Sequence, residues 1–381
     1  MRSSPPVART DFIAAALADL AARDRLRRVR VVTARSAAEV VVSGRELINF
    51  AANDYLGLGL DARLATAAAA AEIALGVGAG ASRLVSGHTV ITEELEGSLR
   101  SWLGVESVRL FNSGYAANTG LLPVIAEPGD LIVSDERNHA SLIDGCRLSR
   151  ATVAVYRHLD LDDLERRLRT PARRKVVVTE SVFSMDGDAA PLAELVGLAH
   201  RHGALVVVDD AHAIGIMGES GRGLGVAAGA DIVVGTLGKA VGAAGAFVAG
   251  PAGLAELLWN RARTLVFSTG LTTGTQAAAV EGVAILRSAE GDRRRQVLRD
   301  HRGRLGPRAA GLPGAIVPLV IGADADAVAA SSRLEAQGFW IPAIRPPTVP
   351  EGTARLRITL SAAHTADQVD RLRAALSEGL A

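Results

Sequence analysis

Of the 42 lysines and arginines in this chain only two are lysine, Lys175 and Lys239. Lys175 follows Arg173 and Arg174 at a turn, where a basic residue is ordinary. Lys239 lies in "GTLGKAVGAAGAFVAG", just past an apolar run and among glycines and alanines. If charge alone were wanted there, arginine would serve. A guanidinium stays protonated in a protein, whereas an ammonium can lose its proton and attack a carbonyl. The plain alternative is a surface lysine whose stem lies along the protein. Upstream, "VVVDDAHAIG" puts Asp209 at the end of an apolar strand and His212 three residues later. A carboxylate there is costly unless a cation meets it. That cation is either Lys239 or a protonated ring nitrogen brought by a bound heterocycle.

Other polar residues cluster where apolar runs end. Thr236 precedes Lys239 by three residues in "VVGTLGKA". "LFNSGYAAN" closes a strand with Asn112, Ser113 and Gly114 and then opens a helix, whose first N–H groups suit a phosphate. An N-cap serine is the ordinary reading of Ser113. "SDERNHASL" sets His139 past another strand, and "TESVFSMDGD" sets Glu180 and Ser184 past a third. A lysine able to form a Schiff base, with an aspartate under a pyridinium nitrogen, is the pattern of pyridoxal phosphate chemistry.

These positions need a scaffold. From "SVRLFNSG" to "DIVVGTLGK" apolar strands alternate with helices, and their Val, Ile and Leu run continuously rather than every second residue. Such strands are buried on both faces, so the pattern predicts an open, mostly parallel sheet covered by helices. Ligands bind at the carboxyl ends of such strands, where the polar residues lie. Residues 10 to 30 read as an amphipathic helix with Phe12, Leu17, Leu20 and Leu26 on one side. "VVTARSAAEVVVSGRELINF" reads as two strands around Ser43-Gly44, and "DARLATAAAAAEIAL" as a helix stopped by glycines. Past residue 256 a helical stretch with Trp259 leads to "GDRRRQVLRDHRGRL", expected to be the solvated face of a helix. The strands "AIVPLVIG" and "RLRITL" then bracket another helix, which makes a smaller α+β lobe. The expected division is an N-terminal helix and strand segment over 1–55, a large α/β domain over 56–255 and a small domain over 256–381.

Composition excludes several classes. A net charge of +1 gives no electrostatic case for nucleic acid or an acidic membrane surface. Cys146 is alone, so no intrachain disulfide or cysteine-based zinc site is expected, nor any other metal. No apolar run is long enough to span a bilayer, and Met1 to Arg30 lacks the pattern of a signal peptide. A cytoplasmic protein is expected.

The blocks "NFAANDYLGL", "FNSGYAAN", "DERNHASLIDG", "TESVFSMDGD", "VVVDDAHAIGIMGESGRG", "GTLGKA" and "RPPTVPEGTARLRITLSAAHT" occur in this order. Together they resemble the α-oxoamine synthases, pyridoxal-phosphate enzymes of fold type I with an aspartate aminotransferase-like fold. The resemblance runs from about Arg27 to about His364. It implies pyridoxal 5'-phosphate as cofactor, with Lys239 as the Schiff-base lysine, Asp209 under the ring nitrogen, His212 by the phenolic oxygen and His139 stacked on the ring. It further implies Ser113, Gly114, Tyr115 and Thr236 around the phosphate and Ser184 near the ring oxygen. Ser268 and Thr269 would reach the phosphate of a neighbouring subunit, which implies a homodimer with shared sites. Arg27, Asn53, Thr348 and Arg357 would bind substrate, Arg357 by clamping an amino-acid carboxylate. The implied reaction is a decarboxylative condensation of an amino acid with an acyl thioester. "IRPPTVPEGTARLR" most resembles members that join L-alanine to a pimeloyl group carried by CoA or by a carrier protein. "GAAGAFVAG" and "FSTGLTTGTQAAA" depart from that pattern beside the acyl channel, so synthases using glycine with acetyl-CoA or serine with a long acyl-CoA stay open.

Overall fold

The computed structural model describes residues 9–378. The first eight residues and the last three, which the expected division and the reading of Met1 to Arg30 include, lie outside them. Near the N-terminus three strands, β1 (Val32–Arg35), β2 (Glu39–Val42) and β3 (Arg45–Asn49), form an antiparallel meander. Two of these were legible around Ser43-Gly44, and β1 is the addition. The helix expected over residues 10 to 30 spans only Asp11–Ala22, and none of its residues is buried. It ends because Asp24 takes a φ of 54° and Arg25 turns to Asp324 (2.8 Å) and to Glu351. Leu26 therefore lies beyond the helix, while Phe12 and Leu17 remain exposed.

The central sheet has seven strands: β4 (Ser107–Phe111), β5 (Leu131–Asp135), β6 (Thr152–Tyr156), β7 (Lys175–Glu180), β8 (Ala204–Asp209), β9 (Ile232–Thr236) and β10 (Ala246–Gly250). Their spatial order is β4-β10-β9-β8-β7-β5-β6. Strands β5 to β9 pair in parallel, and β10 runs antiparallel to both β9 and β4. Successive residues of one strand enter different cores. Val176 and Val178 pack on one side with Leu121, Leu122 and Ile132, whereas Val177 packs on the other with Leu164, Leu195 and Val206. Burial on both faces is why these strands read as unbroken apolar runs. Each fully buried valine contributes about 1.5 kcal/mol or more. The antiparallel strand β10 was not legible. It faces β9 with Phe247 opposite Gly235, where a Cβ would come within 2.2 Å of the phenyl ring.

The C-terminal part carries β11 (Ile316–Gly322), β12 (Phe339–Trp340), β13 (Ala343–Ile344) and β14 (Ala354–Thr359). Strands β11, β14 and β13 form a small antiparallel sheet, and β12 crosses to pair in parallel with β3. The arginine-rich helix Ala289–Leu305 is not simply a solvated face. Arg295 is buried, donating to the carbonyls of Gly215 (3.1 Å) and Leu286 (3.0 Å), and its guanidinium meets Asp292 at 2.6 Å. Arg294 reaches the Leu56 carbonyl at 2.8 Å. A long planar donor can satisfy carbonyls that loops leave open, which a solvated helix face would not need.

Candidate active site

Asp209 ends β8 and is 7% exposed. Its two carboxylate oxygens accept hydrogen bonds from neutral amides: Asn118 Nδ2 to Oδ2 at 2.7 Å and the Ala211 N–H to Oδ1 at 3.0 Å. Asn118 is fully buried on the helix Gly114–Ile125 and also donates to Ser141 Oγ at 2.9 Å. Among the described residues no cation forms an ion pair with Asp209. The structural Asp–Lys pair that the sequence left open is therefore not formed.

Lys239 turns to His212 instead, with Nζ 2.8 Å from Nε2. Burial pushes the Lys239 ammonium down to about 8, against the opposing pull of Asp209. Burial, with Lys239 and Arg357 nearby, holds His212 well below the usual imidazole range, so the ring is neutral. The other ring nitrogen, Nδ1, lies 2.7 Å from the Tyr55 hydroxyl. That hydroxyl donates to Asn53 Oδ1 at 3.2 Å, and Arg357 Nη1 donates to the same oxygen at 3.3 Å. Since Tyr55 gives its proton to Asn53, the network assigns the His212 proton to Nδ1 and leaves Nε2 to accept from Lys239. Burial pushes the Tyr55 hydroxyl up, which keeps it a donor. Arg357 Nε also donates to the Ser184 carbonyl.

A second network surrounds His139, which caps the helix Ala140–Ser149 by accepting from the Ser141 N–H at Nδ1 (3.3 Å), with Ser141 Oγ 2.8 Å from the same nitrogen. The His139 N–H donates to Glu180 Oε1 at 2.7 Å. Burial, then the nearby Asp209 charge, pushes the Glu180 carboxyl up to about 8, so near neutrality it holds a proton. Asn118 and Ser141 join this network to Asp209. On one edge, Ser113 caps the helix Gly114–Ile125 by accepting from the Ala116 N–H at 3.1 Å. Gly114 and Tyr115 occupy the first turn, where N–H groups lack intrahelical acceptors. A Cβ on Gly114 would meet nothing within 4 Å, so open space borders that helix start. The Tyr115 hydroxyl points elsewhere, to Asp144. Thr236 Oγ1 donates to the Gly245 carbonyl and accepts from the Gly238 N–H, both at 3.2 Å.

Ser268 and Thr269 do not cap the helix Thr273–Leu286, because Thr272 does so. Thr269 is exposed, bridges to Ser82, and its carbonyl accepts from Asn112 at 2.7 Å. Arg27 and Thr348 meet each other at 3.4 Å, and Arg27 also holds the Arg345 and Pro346 carbonyls. These bonds do not extend to the Lys239 network. Sequence reasoning assigned no role to Tyr55, Asn118 or Glu180, although all three lie in blocks it singled out. A polar side chain inside an otherwise apolar segment was the only available signal.

Residues 45–376 match the family described as Aminotransferase class I and II, and the chain belongs to that family. Within it, the chain is 47% identical over 378 residues to the 8-amino-7-oxononanoate synthase of Anaeromyxobacter dehalogenans, covering 96% of this chain and 95% of that one. Among solved structures it matches a serine palmitoyltransferase from S. paucimobilis whose title names bound PLP. That match has a TM-score of 0.91 and 30% identity over 98% of this chain and 99% of the other. It also matches the 8-amino-7-oxononanoate synthase of Francisella tularensis, with a TM-score of 0.75 and 25% identity over 87% and 97%. The architecture is thus fold type I, the aspartate aminotransferase-like arrangement that the resemblance implied.

Proposed function

We propose that this chain is an 8-amino-7-oxononanoate synthase, joining L-alanine to a pimeloyl thioester with release of CO2 and the thiol carrier, as a step of biotin formation. One observation carries the reading. Among the described residues Asp209 is a buried carboxylate bonded only by neutral amides, beside a lysine whose ammonium is pushed down to about 8. That donor set fits pyridoxal 5'-phosphate: a carboxylate for a cationic ring nitrogen, a free amine for its aldehyde, and open space at a helix start for its phosphate. When bound, the cofactor supplies an electron sink for a carbanion at the amino-acid α-carbon.

In this reading Asp209 holds a proton on the ring nitrogen, and Asn118 fixes the carboxylate that does so. Lys239 takes the α-proton of alanine, a task its lowered basicity suits near neutral pH. His212, oriented by Tyr55, would stand beside the phenolic oxygen, while His139 would cover the ring. Ser113, Gly114, Tyr115 and Thr236 would surround the phosphate, and Ser184 would lie near the ring oxygen. Arg357 would clamp the alanine carboxylate with two parallel N–H donors, with Asn53, Arg27 and Thr348 lining the substrate side. The proposed division of labour follows the chain: 1–55 contributes Arg27 and Asn53, 56–255 the cofactor site and 256–381 the clamp.

Turnover of alanine, glycine and serine against pimeloyl-, acetyl- and palmitoyl-CoA tests this. Alanine with the pimeloyl thioester should lead in kcat/KM by about tenfold or more. Preference for serine with the palmitoyl donor would overturn the assignment in favour of the serine palmitoyltransferase-like reading, which the TM-score of 0.91 supports. A pimeloyl-carrier protein in the same assay distinguishes the two donors.

Assembly as a homodimer with shared sites rests on the exposed Thr269 beside Ser268, neither of which caps the neighbouring helix. Mixing Lys239→Ala chains with Ser268→Ala, Thr269→Ala chains should raise activity above either parent, because one site of each heterodimer escapes both defects. No rise after subunit exchange verified by mass would place the hydroxyls in their own chain's site. A cytoplasmic location without membrane or nucleic-acid partners is part of the proposal; among the described residues no helix is long and apolar enough to cross a membrane.

A further inference from the structure

The loop that follows β7 is gripped from three directions. From β14, Arg355 and Arg357 lie two residues apart and so project from the same face of the strand. Arg357 Nε donates to the Ser184 carbonyl, and Arg355 Nη1 donates to Asp186 Oδ1 at 2.7 Å and to the Met185 carbonyl at 3.2 Å. From the loop after β5, Arg137 Nη1 reaches the same Asp186 oxygen at 3.1 Å. From beyond β6, His158 bridges Asp135 and Asp188, 2.9 Å from each. The loop backbone also presses on the small sheet: a Cβ on Gly187, where φ is 70°, would come within 2.6 Å of the Ile316 carbonyl.

Arg355 is 4% exposed and, among the described residues, has one carboxylate partner, Asp186. The mechanism uses neither residue. We propose that Asp186 and Arg355 form a latch between the small sheet and the large sheet, whose work is to hold Arg357 in place for the substrate carboxylate. Arg357 bonds to the same loop two residues earlier than Asp186, so a loop pinned at Asp186 fixes the Ser184 carbonyl that aims Nε. Because Arg137 shares Asp186 and stands two residues before His139, the latch also sets the clamp against the large-sheet loop that carries His139. The inference rests on the reading of Arg357 as the carboxylate clamp.

The test is a double-mutant cycle read as alanine affinity, from the change in cofactor absorbance on titration, alongside steady-state kinetics. Asp186→Asn should raise the alanine Kd and KM about tenfold, with kcat and cofactor affinity within about twofold, because only a positioned charge-assisted contact is lost. In an Arg357→Lys background the same substitution should add less than about twofold, since the group it positions is already gone. Arg355→Lys, which keeps the charge but not the two-pronged reach, should give a smaller rise and serves if Asp186→Asn folds poorly. Equal effects of Asp186→Asn in both backgrounds would overturn the latch, as would unchanged alanine affinity in both Asp186→Asn and Arg355→Lys. If Arg357→Lys itself left alanine affinity unchanged, the clamp reading would fail and the latch with it. Weakened affinity in Arg357→Lys without any effect of the latch variants would overturn the latch alone.

Discussion

A Lys239→Arg variant should fold as the parent does and lose turnover by about 10⁴-fold or more. The fold survives because among the described residues Lys239 belongs to no buried ion pair: its ammonium contact is the neutral ring of His212. An arginine donor can make that contact as well. The chemistry does not survive, because a guanidinium neither condenses with an aldehyde nor accepts a proton near neutral pH. Lys239 is able to do both since burial lowers it to about 8, more than Asp209 raises it. Borohydride treatment of the pyridoxal phosphate-loaded parent should fix the cofactor to the peptide containing Lys239, and the variant should yield no such adduct. Finding the reduced adduct on Lys175 would refute the assignment, as would a variant with near-parental turnover.

The second large effect concerns Asp209→Asn. Exchange of the alanine α-proton for deuterium should slow by roughly 10² to 10⁴, since removing one member of a buried charged pair costs about 3–5 kcal/mol and each 1.4 kcal/mol is tenfold. An amide cannot hold a proton on a pyridine nitrogen. The bound cofactor should remain, because the lysine and the helix-start groups are untouched. Cofactor-free stability should change little: the amide can still accept from Asn118 or from the Ala211 N–H, and a buried charge is removed. Unchanged exchange in a variant that still binds cofactor would separate Asp209 from the ring nitrogen.

The parallel strands were legible because burial on both faces leaves an unbroken apolar run, as in Lys175–Glu180 and Ala204–Asp209. Strand β10 was hidden because "AFVAG" is short and follows a glycine- and alanine-rich stretch that reads as loop. The two-residue strands β12 and β13 are too short to show any period. The first helix was overextended because its end is set at long range, by Arg25 reaching Asp324 and Glu351. Lys239 and Asp209 announced themselves by composition: a lysine in an arginine-using chain, and a carboxylate closing an apolar strand. Tyr55 and Asn118 did not, since a tyrosine in a loop or an asparagine on a helix has many ordinary uses. What gives them a place is the approach of His212 and Asp209, which depends on strand order. Glu180 was visible at its strand end, but its protonation follows from burial by segments distant in sequence.

The scarcity of lysine also governs how this protein meets reactive aldehydes in general. Of its two side-chain amines, Lys175 is partly buried with Nζ donating to the Leu168 carbonyl at 2.6 Å, and Lys239 stands at the strand end beside Asp209. Every other lysine-or-arginine position carries a guanidinium, which does not form imines under ordinary conditions. An excess of aldehyde cofactor therefore finds few competing side-chain amines, so loading approaches one equivalent per chain without the scattered adducts that a lysine-rich surface collects. Arginine here works as a chemical insulator: it keeps the surface charged while reserving carbonyl reactivity for one address.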